Sequence, residues 1–394
     1  MKSRYLGILF VLIVIACLVT NCAKIPIRKP LPEAFSKTAQ IQGIPRAKFW
    51  GDEIPIFFEA VIEQSKEKLK QAFPGIYAKP HTYLALSGGG ANGAFGAGLM
   101  VGWSAVGNRP EFTMVTGIST GALMAPFVFL GEDYDERLKE MYTTHSTKDI
   151  VIQYNILTAL TGASIADTTP MKNMLAKYID QPVMEAIAAE YKKGRRLWIG
   201  TTNLDAKRPV IWNIGLIAAS GRPNALALIH KIVLASASIP GAFPPVLIEV
   251  EADGRRYDEL HVDGGAATQV FLYPARLDWK IITHKLEVKG PPRVYVIRNS
   301  FLKPDYEVVE PRILSITGLS IASLIRTQGI GDMYRIYLDC QRDGIDFNLA
   351  YIPDSFDMKP NEDFDPVYMG KLFELGYQKA INGYPWDKGP PGFK

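Results

Sequence analysis

Ser119 stands in Gly117-Ile118-Ser119-Thr120-Gly121, about thirty residues after the run Gly88-Gly89-Gly90-Ala91-Asn92-Gly93. A serine flanked by glycines at the junction of a strand-like and a helix-like run has the pattern of a nucleophile elbow. Successive glycines let several backbone N–H groups converge on one point, which a developing oxyanion requires. Both segments follow apolar runs and open helical ones. The chemistry they suggest is acyl transfer through Ser119, with donors from Gly88, Gly89 and Gly90. Gly93, Gly117 and Gly121 would permit the tight turns, and the helix opening after Ser119 would favour negative charge there.

The hydroxyl needs a base. His261-Val262-Asp263-Gly264-Gly265 ends a strand-like run. Gly264 and Gly265 allow a sharp turn after Asp263, holding its carboxylate at a strand end, where α/β sites form. The same residues also read as an ordinary Asp-Gly turn. A histidine triad is the competing arrangement, since His284 follows Asp263 in the order Ser, Asp, His. Against it, Lys280-Ile281-Ile282-Thr283-His284-Lys285 reads as a strand without turn residues. His261 would share a strand face with Asp263, and Asp205 reads as a structural hydrogen-bonder. The glycine run also satisfies the dinucleotide fingerprint Gly-x-Gly-x-x-Gly. Its acidic ribose ligand should end the second strand, whereas Glu111 precedes that strand.

The elements that must position these groups alternate. His81–Ser87 reads as a buried strand, Gly93–Ala105 as a small-residue helix, Phe112–Val115 as the next strand and Ala122–Leu130 as the helix leaving the elbow. Strand, turn and helix in repetition specify a parallel sheet covered by helices. Further strands are expected at Arg196–Thr201, Pro209–Ile214 and Arg293–Ile297. Helices are expected at Ile54–Phe73, Met171–Ile179, Pro182–Tyr191, Ile313–Arg326 and Pro366–Ile381. The apolar stretches Val151–Leu160 and Ile313–Ile325 could line an acyl pocket, although core packing would explain them equally.

With 394 residues, 47% of them apolar, the chain can bury a large core. Its formal charge of +4 falls to +2 once Lys2 and Arg4 leave with a leader, too little to suggest nucleic acid. The five histidines and three cysteines are scattered without metal-ligand spacing. At the N-terminus, Met1-Lys2-Ser3-Arg4 is basic, and Leu6–Val19 is an apolar run of about fourteen residues, short for a span of ~20. Leu18-Val19-Thr20-Asn21-Cys22 resembles a bacterial lipobox with Cys22 as the lipidated residue; Asn21 departs from the small residue usual there. Cys17 is the alternative acceptor. Ala23 is not the aspartate that retains lipoproteins at the inner membrane, so the expectation is a lipid-anchored protein of the cell envelope, at the outer membrane. Tri-acylation would anchor firmly at ~0.8 kcal/mol per buried CH₂. The chain then divides into a signal peptide (1–21), an N-terminal tether and helix (22–77) and one catalytic domain (78–394).

Ser87–Gly93, Gly117–Gly121 and Asp263-Gly264-Gly265 together resemble the patatin-like phospholipase family. So do Ala235-Ser236-Ala237-Ser238-Ile239-Pro240-Gly241-Ala242-Phe243-Pro244-Pro245 and Thr201–Asp205, in the family's order from Tyr83 to Ala267. The resemblance implies a three-layer α/β/α sandwich with a mainly parallel central sheet. It further implies a Ser119–Asp263 dyad, an oxyanion hole in the Gly88–Gly90 loop, a lipid or phospholipid substrate, and no metal or organic cofactor. Asn92 departs from the Arg or Lys of many members, which removes a cation from that edge of the loop. Two other functional readings stand beside this one: an α/β-hydrolase-type esterase with a Ser-Asp-His triad, and a catalytically silent lipid-binding lipoprotein.

Overall fold

Alternate residues of the central strands face opposite ways, and both faces are apolar: Leu84 and Leu86 join one core, Tyr83 and Ala85 the other. Such strands must be covered on both sides. The computed structural model describes residues 28–154, 164–304, 306 and 308–393. The expected signal peptide, Cys17, Cys22 and residues 155–160 of the apolar stretch lie outside the described residues.

The strands, in chain order, begin with β1 (Lys48–Trp50), β2 (Thr82–Leu86) and β3 (Met114–Gly117). A separate antiparallel pair follows, β4 (Ile152–Gln153) with β5 (Ala166–Asp167). Then come β6 (Arg196–Asn203), β7 (Arg208–Asn213), β8 (Val246–Ala252), β9 (Arg255–Asp263), β10 (Arg293–Phe301) and β11 (Asp346–Ile352). The heart of the sheet is parallel, in the order β6-β3-β2-β10-β11. Antiparallel β7 and then β1 extend one edge, and the β8–β9 hairpin joins the end of β6 beyond the reach of β3.

Helices Gly93–Ala105, Thr120–Leu130, Ala225–Ser236 and Pro366–Ile381 cover one face. Ile56–Glu63, Lys66–Ala72, Trp279–Lys285 and the later part of Ile313–Asp343 cover the other. The architecture is therefore the expected three-layer α/β/α sandwich. The small residues of Gly93–Ala105 have a packing reason. A Cβ at Gly102 would lie 2.6 Å from the Tyr377 carbonyl of Pro366–Ile381, so the two helices approach along their backbones.

Several expectations are corrected. Ile54–Phe73 is two helices, because Gln64 turns extended and the Ser65 side chain caps a new helix at the Lys68 N–H. Lys280–Lys285 is helical, with the Asp278 side chain accepting from the Lys280 N–H. The helix beginning at Ile313 runs on to Asp343 and stops where Gly344 adopts φ +69°. Its first half is not a pocket wall, since Ile316, Ile321 and Leu324 are exposed. Residues 28–48, within the stretch from 23 to about 48 expected as a tether, lie along the domain: Ala39, Ile41 and Ile44 are buried, and Arg28 pairs with Asp205. Their apolar contacts outweigh a composition rich in proline and lysine.

Candidate active site

Ser119 directly follows β3 and adopts φ +53°, ψ −122°. A residue with a β-carbon at such φ costs on the order of 1–3 kcal/mol and persists only where its surroundings fix it. Its N–H donates to Ser236 Oγ at 3.0 Å, and Ser236 Oγ donates to the Gly200 carbonyl at 2.6 Å. On the helix side, Thr120 Oγ1 donates to Tyr142 OH, and that hydroxyl donates to the Thr120 carbonyl, both at 2.7 Å. The elbow is held from both ends.

Asp263 ends β9 next to β6. Its N–H donates to the Ser238 carbonyl at 2.8 Å and its carbonyl accepts from Thr202 Oγ1 at 3.0 Å. Its Oδ1 accepts the Gly265 N–H at 2.7 Å, within the turn made by Gly264 and Gly265. The residue is 5% exposed. Burial pushes the carboxyl pKa up to about 7, against the opposing pull of hydrogen bonds from Ser119 and from the Gly265 N–H. A carboxylate that ionises near neutrality beside a strained serine hydroxyl can take up a proton and return it.

The glycine loop is more selective than its sequence suggested. The Gly88 N–H donates to the Gln269 carbonyl at 3.1 Å and is already used. The Gly89 and Gly90 N–H groups have no partner among the described residues. Gly90 has φ +56° and open space where a side chain would stand. Together with Ser119 it borders an apolar pocket lined by Leu123, Met141, Met171 and Phe243. Gly93 opens the following helix, Gly117 ends β3, and Gly121 lies in the first turn after Ser119. Asn92 Oδ1 accepts from Tyr368 OH at 2.6 Å, tying the loop to the last helix.

The sequence reading missed several supports. Gln269 Nε2 donates to the Gly265 carbonyl at 2.8 Å, and Asp332 Oδ2 accepts from Thr268 Oγ1 and from the Gln269 N–H. The Asn299 N–H donates to Ser87 Oγ at 2.9 Å behind the glycine loop. Ser87, Thr202, Ser236 and Ser238 lay inside stretches that carried a signal, whereas Gln269, Asp332 and Asn299 did not.

Among the described residues no histidine bonds to Ser119 or Asp263. His261 is fully buried, with Thr201 Oγ1 at 2.9 Å and Glu259 Oε2 at 3.2 Å. His284 lies in a helix whose Trp279 and Ile282 join the opposite core. His284→Ala is therefore expected to keep ester turnover within about twofold of wild type, as measured in steady-state assays; surface substitutions change little. Glu111 precedes β3 and lies 3.4 Å from Arg195, away from the glycine loop's donors.

Residues 84–276 match the family model described as patatin-like phospholipase. The matched stretch, just under half of the chain, is similar to a patatin-like phospholipase domain. Ser119, Asp263 and the turn at Gly264–Gly265 fall inside the matched residues, as does the whole glycine loop. No curated protein matches the chain. Among solved structures it is similar to the crystal structure of VipD from Legionella pneumophila, with a TM-score of 0.37 and 12% identity. The similarity covers 77% of this chain and 66% of that one, just under two thirds of its length. The patatin-like family is one of lipid acyl hydrolases. The strands β10 and β11 and the last two long helices lie beyond the matched residues.

Proposed function

We propose that this protein is a serine acyl hydrolase that cleaves fatty-acyl esters of lipids or phospholipids through a Ser119–Asp263 dyad. Ser119 Oγ attacks the ester carbonyl carbon while Asp263 accepts its proton. The carbonyl oxygen becomes the oxyanion, received by the Gly89 and Gly90 N–H groups. Collapse breaks the bond to the alcohol oxygen, which leaves with the proton from Asp263. Water then attacks the acyl-serine with Asp263 again as base; the bond from the acyl carbon to Ser119 Oγ breaks, Asp263 returns its proton to that oxygen, and the fatty acid departs. One observation carries this reading: a serine held at φ +53° beside a buried carboxyl with a pKa of about 7.

The apolar pocket at Ser119 and Gly90 supports an acyl chain as the group transferred. Exposure to a fluorophosphonate followed by peptide mass mapping tests the reading. One adduct on Ser119 is expected, and an unmodified Ser119 in folded protein would overturn it.

We also propose that Cys22 carries a lipid anchor in a bacterial envelope, at the outer membrane. The basic start, apolar run and Cys22 support this. Among the described residues no helix is long and apolar enough to cross a membrane. Cys22→Ser is expected to move the protein from the detergent-extracted membrane fraction into the soluble one. Retention in the membrane fraction with Cys17 acylated would reassign the acceptor.

A further inference from the structure

On the face of the sheet opposite the Ser119 pocket lies a second apolar cavity, of about 310 Å³. That is the lower end of the ~300–1,000 Å³ range of small-molecule sites. It sits at the amino ends of the parallel strands, near His81, Thr113 and Arg196, whereas Ser119 follows the carboxyl end of β3. The two short helices joined at Ser65 form one wall through Phe57, Val61 and Phe73; Trp198 and Trp279 line it from the sheet and from the helix Trp279–Lys285.

The charge of the cavity is one-sided. Arg46 and Arg196 line it, and no aspartate or glutamate does. Neither arginine has a carboxylate partner among the described residues. The Arg196 guanidinium is stacked between the rings of Tyr191 at 4.5 Å and Phe73 at 5.0 Å, and Nη1 donates to the Arg195 carbonyl at 2.9 Å. Burial lowers its pKa, yet a guanidinium stays charged at neutral pH. A half-buried cation that faces an apolar cavity without a counter-ion is a ready partner for an anion. The Trp198 indole N–H is buried and has no acceptor among the described residues.

We propose that this cavity binds a single-chain anionic amphiphile, a long-chain fatty acid, with its chain among the aromatic rings and its carboxylate against Arg196. Aromatic walls restore to the chain the contacts an unfilled cavity lacks. The guanidinium supplies charge-assisted hydrogen bonds in a poorly hydrated setting. A fatty acid is also what hydrolysis at Ser119 would release, so the cavity would hold the reaction's own product; that link rests on the proposed function, while the binding does not.

Displacement of cis-parinaric acid fluorescence by oleate, with oleyl alcohol as the uncharged control, tests the site on the whole protein. Saturable oleate binding is expected in wild type. Arg196→Gln is expected to weaken it about tenfold or more while leaving the alcohol unchanged. Arg46→Gln, on the exposed side, should weaken oleate by a few-fold without affecting folding. Val61→Trp should fill the cavity and abolish binding of both ligands. Absence of saturable binding, or oleate binding indifferent to all three substitutions, overturns the proposal. Ester turnover measured on the same samples reports separately on Ser119: binding with no turnover keeps the cavity and removes its role as a product site.

Discussion

Ser119→Ala is expected to lower kcat/KM for a short-chain nitrophenyl ester by about 10⁴-fold or more. Alanine removes the proposed nucleophile and leaves the rest of the pocket in place. Some rate above that of water should survive, because the unused Gly89 and Gly90 N–H groups can still polarise a bound carbonyl. The substitution also relieves little strain, since alanine carries a β-carbon at the same φ of +53°. Stability should therefore change far less than activity. Steady-state assays beside thermal unfolding separate the two, and equal rates for both proteins would remove Ser119 from the mechanism.

Asp263→Asn is expected to reduce turnover by about 10³-fold and to stabilise the fold above neutral pH. The first effect follows from losing the proton acceptor. The second follows from linkage. Burial raises the folded pKa from 3.8 to about 7, so the unfolded chain releases this proton earlier than the folded protein does. Asp263 thus supports folding fully in acid; that support is lost as pH rises between about 4 and 7, and the loss is complete above 7. The cost at alkaline pH is at most about 4 kcal/mol. Asparagine never ionises and avoids it. In wild type, ester turnover should climb with pH through about 7 as the base ionises, and chemical denaturation across the same range should show stability falling. A rate that is flat from pH 5 to 9 would exclude Asp263 as the base.

Why glycine loop, elbow and Asp-Gly turn were legible follows from what each asks of the chain. A backbone that must turn within one residue needs glycine there, and a strand buried on both faces needs consecutive apolar residues. Both demands are local and are written in adjacent positions, as at Thr82–Leu86 and Gly93–Ala105. The break at Gln64–Ser65 was less legible. An apolar stripe continues across it through Phe58 and Leu69, and only the capping geometry of Ser65 divides it. His284 failed for a related reason: a short apolar run carries no clear period, and packing of Trp279 and Ile282 decided for helix. Residues 28–48 have the composition of a linker and acquire structure from a sheet edge formed far along the chain.

The sequence by itself determined the layered α/β/α plan, the elbow at Ser119 and the turn at Asp263, because φ-permissive residues and apolar spacing are properties of contiguous chain. Only the tertiary structure decided which groups are bonded there and which are left free. It withdrew the Gly88 N–H by bonding it to Gln269, left those of Gly89 and Gly90 free, and set Ser236 beneath Ser119. It also enclosed Asp263 until its carboxyl ionises near pH 7. These outcomes depend on desolvation and on partners more than a hundred residues away in some cases, as with Ser119 and Ser236. No local pattern can encode the electrostatic surroundings that distant segments create when they close around a site.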